Sequence, residues 1–278
     1  STWSEVLGRL RRNKVAMFSL IMILVIILVT VFADYIAPYG YADADMKNRF
    51  AFPSFTHPFG TDNFGRDILS RVIYGGQVSL LVSLLAIALS TLVGGTLGAV
   101  AAYVGGSIES IIMRCLDVLM AIPALLLAIS ISAALGPGVV NSAIAISVAG
   151  IPSSARMMRA VVLSIKDQEY VEAARANGAR HSRILLHEII PNTLAPILVD
   201  ITLRIGANIL QISSLSFIGL GVQPPTPEWG SILASGRDYI RDFWPMVVFP
   251  GIAIMLTLIF FNLFGDGLRD AMDPRMKK

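Results

Sequence analysis

The sequence predicts an all-α integral membrane protein with six transmembrane helices and both termini in the cytoplasm. Of its 278 residues, 55% are hydrophobic and only 15% are charged, and the mean hydropathy is +0.69. A soluble globular domain carries about 25% charged residues, so this composition excludes that class. Polar stretches divide the chain into six apolar segments, each long enough to cross a hydrocarbon core of about 30 Å.

The first predicted span covers residues 15–36 and follows a cationic N-terminal stretch. A signal peptide shares this pattern, but its apolar region has only about 7–15 residues, and no small-residue cleavage site follows here. We therefore expect an uncleaved first helix. Prolines, glycines and aspartates in residues 37–75 predict an external loop, in which His57 is a loop residue rather than a metal ligand.

The later spans are interrupted by residues that are unusual in membrane helices. Gly94 and Gly98 form a small-xxx-small face that favours close helix contact. Prolines lie within four of these five spans, where the freed carbonyl groups need helix neighbours or water: Pro123, Pro152, Pro196 and Pro250. The spans are predicted at 76–104, 108–135, 139–163, within 189–220, and at 243–264, with a second external loop at 221–242.

The distribution of lysine and arginine gives the orientation. Fourteen cations lie on the side of the N-terminus: Arg9, Arg11, Arg12, Lys14, Arg156, Arg159, Lys166, Arg175, Arg180, Arg183, Arg269, Arg275, Lys277 and Lys278. Six lie on the other side, accompanied by acidic residues: Lys47, Arg49, Arg66, Arg71, Arg237 and Arg241. The positive-inside rule therefore predicts a cytoplasmic N-terminus, C-terminus and polar stretch at residues 166–191.

That polar stretch predicts a helix, a glycine turn and a second helix across the cytoplasmic face. Residues 171–176 favour helix, and Gly178 suits a helix C-cap or bend because it adopts positive φ at low cost. Ser182 is expected to cap a second helix at residues 183–188. On charge alone, an ordinary basic loop that only fixes topology is an equally good interpretation.

Two pairs of ionisable residues lie in or near apolar spans. Arg114 and Asp117 are three residues apart, and Asp200 and Arg204 are four apart, so each pair shares a helix face. A charge at membrane depth is costly and should face the bundle or a water-filled path. Each pair is therefore either a structural ion pair or part of a substrate path.

Motifs for catalysis, nucleotide binding or metal binding are missing from the sequence. It contains no phosphate-binding loop, no HExxH helix and no Gly-x-Ser-x-Gly elbow, and no basic run with interleaved aromatics indicates nucleic acid. Cys115 is the single cysteine, which excludes an internal disulfide. A secondary transporter would need internal repeats, which we do not find, and an intramembrane enzyme would need a nucleophile or metal site.

Several motifs carry a resemblance to a known family. The Glu172, Ala173 and Ala174 triplet, with Gly178 and Pro191 at their spacing, resembles the EAA motif of ABC importer permeases, although residues 188–190 (EII) depart from its usual Ile-x-Leu before the proline. Three further segments resemble the dipeptide/oligopeptide branch (DppC/OppC-like), so that the resemblance covers nearly the whole chain: residues 57–67 (HPFGTDNFGRD), 214–230 (SLSFIGLGVQPPTPEWG) and 263–275 (LFGDGLRDAMDPR).

The resemblance implies a type I importer permease (MetI-like) fold. An N-terminal segment at 1–75 with an extra helix would precede a five-helix core at 76–267 and a cytoplasmic tail at 268–278. The loop at about 165–191 would dock on an ATPase subunit through seven residues: Glu172, Ala173, Ala174, Arg175, Gly178, Arg180 and Pro191.

The resemblance also implies the chain's partners. These are a homologous second permease (DppB/OppB-like), two ABC ATPases (DppD/DppF-like) that bind ATP and Mg²⁺, and an extracytoplasmic solute-binding protein. The chain itself would hold no cofactor and would be a multi-pass protein of the bacterial plasma (inner) membrane, in contact with the lipid bilayer. The implied cargo is dipeptides or short oligopeptides, with glutathione or nickel and metal chelates as alternatives.

Overall fold

The computed structural model describes residues 3–272, and within this range the chain is all-helical, with no β-strand. The α-helices are α1 (Trp3–Arg12), α2 (Lys14–Val31), α3 (Ala33–Ile36), α4 (Ile68–Val104), α5 (Gly106–Met120), α6 (Ala124–Leu135), α7 (Val139–Ile165), α8 (Glu169–Ala176), α9 (His181–Arg183), α10 (Ile190–Phe217), α11 (Trp229–Gly236) and α12 (Pro245–Met272). The last part of the predicted tail, residues 273–278, lies outside the described residues.

Four helices of the described range are long and apolar enough to cross a membrane: Lys14–Val31, Ile68–Val104, the continuous helix His181–Phe217, and Pro245–Met272. The bent pair of α5 and α6 would make a fifth span. The predicted fourth span forms α7 but is not among these helices, since its serines, proline and two arginines lower its hydropathy. The count of six spans therefore stays a prediction.

The third predicted span is broken rather than straight. α5 and α6 meet at an angle of 83° across residues 121–123. Pro123 has no N–H and takes extended backbone angles, and its carbonyl accepts the first hydrogen bond of α6 from the Leu127 N–H at 3.0 Å. By contrast, Pro152 lies inside α7 without ending it.

Helices α4 and α7 pack closely through the glycine face that the sequence predicts. A Cβ atom on Gly94 would lie 2.4 Å from the Ile151 carbonyl oxygen, and one on Gly98 would lie 2.2 Å from the Ala155 carbonyl oxygen. Only glycine allows this backbone approach, which places α7 against α4 over several turns. The prediction of a close helix contact here is confirmed.

The N-terminal helix α1 packs against the end of α12. Val6 and Leu10 of α1 are buried in one apolar cluster with Ala271 of α12 and Ala16 of α2. Removal of these side chains from water stabilises the contact. The start of α2 and the end of α12 therefore lie at the same end of the bundle.

At the opposite end, the fully buried carboxylate of Glu228 joins three helices. It caps α11 by accepting hydrogen bonds from the backbone N–H groups of Gly230 and Ser231, each at 2.9 Å. It also accepts from the hydroxyls of Ser79 on α4, at 3.0 Å, and Ser213 on α10, at 3.2 Å. A buried charge is tolerated here because it has four donors.

The loop before α4 is folded by polar contacts. His57 Nδ1 lies 3.0 Å from an oxygen of Asp67, and its ring stacks on Tyr39 with centroids 4.8 Å apart. Asp67 caps α4 by accepting a hydrogen bond from the Ser70 N–H at 2.7 Å. His57 therefore stabilises a loop, and residues 3–272 contain no group of three acidic, histidine or cysteine side chains placed to hold a metal ion.

Candidate coupling surface and polar path

The polar stretch after α7 begins with the amphipathic helix α8. Val171 is fully buried, Ala174 is half-buried, and Glu172, Ala173 and Arg175 are exposed. This pattern follows from the helical period, which sets Val171 and Ala174 on one face. The predicted helix is confirmed, and it starts two residues earlier than expected, at Glu169.

A Schellman turn around Gly178 ends α8. The Ala179 N–H donates to the Ala174 carbonyl at 3.1 Å, and the Gly178 N–H donates to the Arg175 carbonyl at 3.0 Å. Gly178 has a φ of +76°, as the sequence predicts, and a Cβ atom there would meet nothing within 4 Å. The glycine is therefore required by backbone conformation and not by crowding.

The second helix starts at His181, with Arg180 as its N-cap residue and no side-chain capping bond. The prediction that Ser182 caps this helix is wrong, since Ser182 lies inside its first turn. The physical reason is the short Schellman turn, after which Arg180 already has extended backbone angles (φ −64°, ψ 148°) and the helix follows directly.

The second helix continues into α10 through a π-helical segment, Ile184–Ile189. The Ile190 N–H donates to the Leu185 carbonyl, five residues back. Pro191 lacks an N–H and would clash with the carbonyl four residues earlier in a regular α-helix, which the wider turn relieves. The Asn192 amide donates to the Glu188 carbonyl at 2.6 Å. The chain is thus helical from residue 181 to residue 217.

The buried side of this segment is fixed to the ends of α4 and α7. Ile184 and Ile189 are fully buried in one cluster with Val162 of α7. Lys166 donates from Nζ to the Ala102 carbonyl at the end of α4, at 3.2 Å. Burial of each isoleucine side chain contributes about 1.5–3 kcal/mol, so the helix pair is held against the bundle.

Two tyrosines flank the turn. The Tyr103 hydroxyl lies 2.9 Å from His181 Nδ1, and the two rings meet edge to face. This contact ties the end of α4 to the start of the second helix.

Burial, and then the charge of Glu188, raises the pKa of Tyr170 above its ordinary value of 10.0, so this phenol is neutral at physiological pH.

The outer side of the same segment is charged and open. Its five exposed charged side chains are Glu169, Glu172, Arg175, Arg180 and Arg183. None of them forms an ion pair with another residue in the range 3–272. A rigid, buried underside and an exposed charged upper side suit this segment for contact with a partner protein. We call residues 169–191 the docking segment.

A polar network lies deeper, where α10 meets α4 and α7. Arg204 donates to the hydroxyls of Ser154 and of Ser90, the latter at 3.0 Å, and to the Gly150 carbonyl at 3.4 Å. Asp200 lies 3.5 Å from the guanidinium, a weaker contact. This pair shares a helix face as predicted, but its arginine is held mainly by neutral groups on two other helices.

Asp117 pairs with Arg156 of α7, at 2.6 Å, and not with Arg114 as the sequence spacing suggests. Arg114 is exposed and forms no ion pair among residues 3–272. Packing of α5 against α7 brings Arg156 to the Asp117 carboxylate, whereas the Arg114 side chain does not reach it. One turn further along α7, Arg159 pairs with Glu109 of α5 at 2.5 Å.

Comparisons with known proteins identify the family. Residues 94–278 match the model of the binding-protein-dependent transport system inner membrane component, and residues 1–53 match the N-terminal TM domain of oligopeptide transport permease C. The chain is a member of the binding-protein-dependent transport system inner membrane component family. It is a DppC/OppC-like ABC importer permease and not an enzyme, and it is a multi-pass protein of the inner membrane.

Curated relatives agree with this family. The chain is 44% identical over 277 residues to the dipeptide transport system permease protein DppC of Alkalihalophilus pseudofirmus, covering 100% of this chain and 91% of that protein. It is 45% identical over 278 residues to the glutathione transport system permease protein GsiD of Escherichia coli O6:K15:H31, covering 99% and 91%. Permeases of this family work with a second permease, ATPases and a binding protein.

Solved structures share the fold. The inward-facing MetNI methionine ABC transporter matches with a TM-score of 0.61 and 15% identity, covering 74% of this chain and 98% of that one. An amino acid ABC transporter matches with a TM-score of 0.52 and 20% identity, covering 72% and 94%. At these identities the likeness concerns the fold alone, which is MetI-like.

The permease brings the predicted coupling residues together on one short segment. Those with exposed side chains or backbone are Glu172, Ala173, Arg175, Gly178, Arg180 and Pro191, and Ala174 is half-buried. The predicted path residues fall in two separate places, on α5 and on α10. Beside Asp200, a cavity of about 690 Å³ lies between α7, α10 and α12.

Sequence reasoning did not single out Arg156, the partner of Asp117. The charge distribution assigns Arg156 to the cytoplasmic side. In the structure it lies nine residues before the end of α7, about 14 Å along the helix. The sequence does indicate this position, because Arg156 falls well inside the span predicted at residues 139–163. Its partner Asp117 is 39 residues away and could not be read from spacing.

Proposed function

We propose that this permease forms half of the translocation path for dipeptides or short oligopeptides and is driven by cytoplasmic ATPases through the docking segment. The observation that carries the proposal is the continuous helix from His181 to Phe217, which begins in the docking segment and ends at the far side of the bundle. Gly178 fixes the angle of α8 against that helix.

The mechanism follows from where the docking segment is rigid and where it is open. Its buried isoleucines pack in one cluster with residues at the ends of α4 and α7, so we expect the segment to move together with these helices. The exposed Glu172, Arg175 and Arg180 make the polar contacts with an ATPase. When ATP and Mg²⁺ close the two ATPase subunits, the displacement passes into α10 and moves the bundle between inward and outward openings.

The orientation and the partners form part of the same proposal. The docking segment and both termini face the cytoplasm, where α1 and the end of α12 are in contact. The partner subunits are a homologous DppB/OppB-like permease and two DppD/DppF-like ATPases. A solute-binding protein delivers cargo on the extracytoplasmic side. The sequence supports six spans, with α5–α6 as the third and α7 as the fourth. This chain carries no cofactor.

Peptides are the preferred cargo, and glutathione is the second candidate. Relatives named for dipeptide and for glutathione transport are almost equally identical to the chain, so identity does not separate them. Glutathione is itself a short peptide with free carboxylates, and the same path would accept both. Nickel or metal chelates are less favoured, since residues 3–272 offer no cluster of metal ligands.

The coupling role is tested by changes at Gly178 in the complete transporter reconstituted in lipid. Gly178→Asp adds a charge where the surface is open, and we expect insertion and assembly to persist while ATPase stimulation by loaded binding protein is lost. Gly178→Asn is the matched control, because asparagine also adopts positive φ and adds no charge. Full stimulation in the Gly178→Asp complex would rule out docking at this turn.

Cargo is tested in the same liposomes with the binding protein encoded beside the permease. We expect uptake of a labelled dipeptide to require ATP and to be inhibited by excess unlabelled dipeptide. Uptake driven by an ion gradient without ATPases would instead indicate a secondary transporter. Competition by glutathione but not by dipeptides would assign the second candidate.

A further inference from the structure

The ion pair between Asp117 and Arg156 joins two helices and is nevertheless open at the surface of the chain. Its atoms are 2.6 Å apart, yet 53% of the Asp117 side chain and 48% of the Arg156 side chain are exposed. The Arg159–Glu109 pair joins the same two helices but is less exposed, at 37% and 22%. The Asp117–Arg156 pair therefore faces the outside of the chain.

The same pair lies far from the ends of the bundle. α5 starts directly after the end of α4, beside the docking segment, and Asp117 is eleven residues along it, or about 16 Å. Arg156 is about 14 Å from the corresponding end of α7. Both residues also fall inside the predicted spans 108–135 and 139–163, seven or more residues from the nearest end, so we expect the pair to lie within the hydrocarbon core.

Lipid cannot be what this surface contacts. Charged groups at the centre of a bilayer are strongly disfavoured, and Arg114, one turn away on α5, is exposed as well. A surface with three charged side chains inside predicted spans is therefore expected to meet water or protein. In a permease that pairs with a second permease, the water-filled space between them meets both requirements.

We propose that Asp117 and Arg156 line the translocation path and bind the two charged ends of a zwitterionic short peptide. The inference rests on the proposed function and adds a binding site to it. The carboxylate matches the peptide's ammonium group, and the planar guanidinium matches its carboxylate in a two-bond contact. Because each side chain is half-exposed, its free lone pairs and N–H groups reach a ligand before the ion pair itself opens.

The site is tested by cysteine protection in the complete complex, without nucleotide or binding protein. Cys115→Ser removes the single cysteine, and Ser153→Cys then adds one on the exposed face of α7, three residues before Arg156. We expect a membrane-impermeant methanethiosulfonate to modify this cysteine. A dipeptide with free ends should slow the reaction, whereas the same dipeptide acetylated and amidated should not.

The charged pair is then changed within that background. Arg156→Gln should raise the dipeptide concentration needed for protection about tenfold, the effect of losing one charge-assisted contact. Arg159→Gln, in the matched Arg159–Glu109 pair, should leave it unchanged, and Arg156→Lys should retain most of the protection. If Arg156→Gln fails to assemble, Asp117→Asn gives the same comparison, because it removes the charge of the other member of the pair.

Three results would overturn the proposal. An unreactive cysteine would mean that the sister permease covers this surface. Equal protection by free and blocked dipeptides would mean that charge is not recognised, and equal effects of the two arginine changes would mean that both pairs are structural. ATPase stimulation by loaded binding protein, measured in parallel, reports the proposed function separately, so the two failures are distinguishable.

Discussion

The Ala179 N–H donates to the carbonyl of Ala174 at 3.1 Å across the positive-φ residue Gly178. This bond closes the turn between the two helices of the docking segment, and both alanines belong to the apolar cluster beneath it. The turn is therefore fixed by backbone geometry on one side and by packing on the other.

Gly178→Ala should destabilise this turn by about 1 kcal/mol, since alanine is penalised at positive φ although its methyl group has open space. Gly178→Asn should cost less than Gly178→Ala. Hydrogen exchange of the α8 amides measures the local opening directly. Equal exchange in both variants would show that φ at residue 178 is not the constraint.

Gly98→Ala should disrupt the packing of α4 on α7, because its methyl group would lie 2.2 Å from the Ala155 carbonyl oxygen. We expect a loss of about 1–3 kcal/mol, seen as a lower melting temperature in detergent. Gly95→Ala is the control: its methyl group meets only the flexible end of Met158, at 3.3 Å. Similar melting temperatures for both variants would contradict the close contact.

Glu228→Gln should weaken the capping of α11. The two carboxylate oxygens accept from the backbone N–H groups of Gly230 and Ser231, whereas an amide offers only one acceptor oxygen. One buried donor is left unsatisfied, at a cost of about 1–3 kcal/mol in unfolding free energy. Asp238→Asn, at an exposed ion pair on the same side, should change the melting temperature little. A stable Glu228→Gln variant would argue against this role.

Tyr103→Phe should loosen the link between α4 and the docking segment, because the hydroxyl that contacts His181 is lost. We expect a modest stability loss of about 0.5–1.5 kcal/mol and fewer substrates imported per ATP hydrolysed. Tyr170→Phe removes a hydroxyl from the same region without breaking a hydrogen bond within residues 3–272, and serves as the control. If both changes leave the transport-to-ATP ratio intact, the Tyr103 contact does not take part in coupling.

Local features of the site could be predicted from sequence, whereas contacts between distant segments could not. Helix propensity and the glycine at 178 determine α8 and its turn, because both act within a few residues. The partner of Asp117 lies on another helix, and only the packing of α5 on α7 selects Arg156 over the neighbouring Arg114. Spacing along one helix ranks Arg114 first for this reason.

Prolines illustrate the same limit in the fold. Pro123 and Pro152 both occur inside apolar segments, yet the chain bends by 83° at the first and remains helical through the second. A proline removes one hydrogen bond in either case. Whether the helix breaks depends on the neighbours that pack on it, and Pro152 is buried against other helices. That information is tertiary and absent from a local pattern.

The 37-residue helix from His181 to Phe217 has a mechanical consequence. At 1.5 Å per residue it is about 55 Å long, so a tilt of about 10° around its midpoint would move each end by about 5 Å in opposite directions. A helix that tilts as one piece needs no hinge between its two ends. If the docking segment is displaced as proposed, the opposite end of the helix, where Ser213 contacts the buried Glu228, moves in the opposite direction.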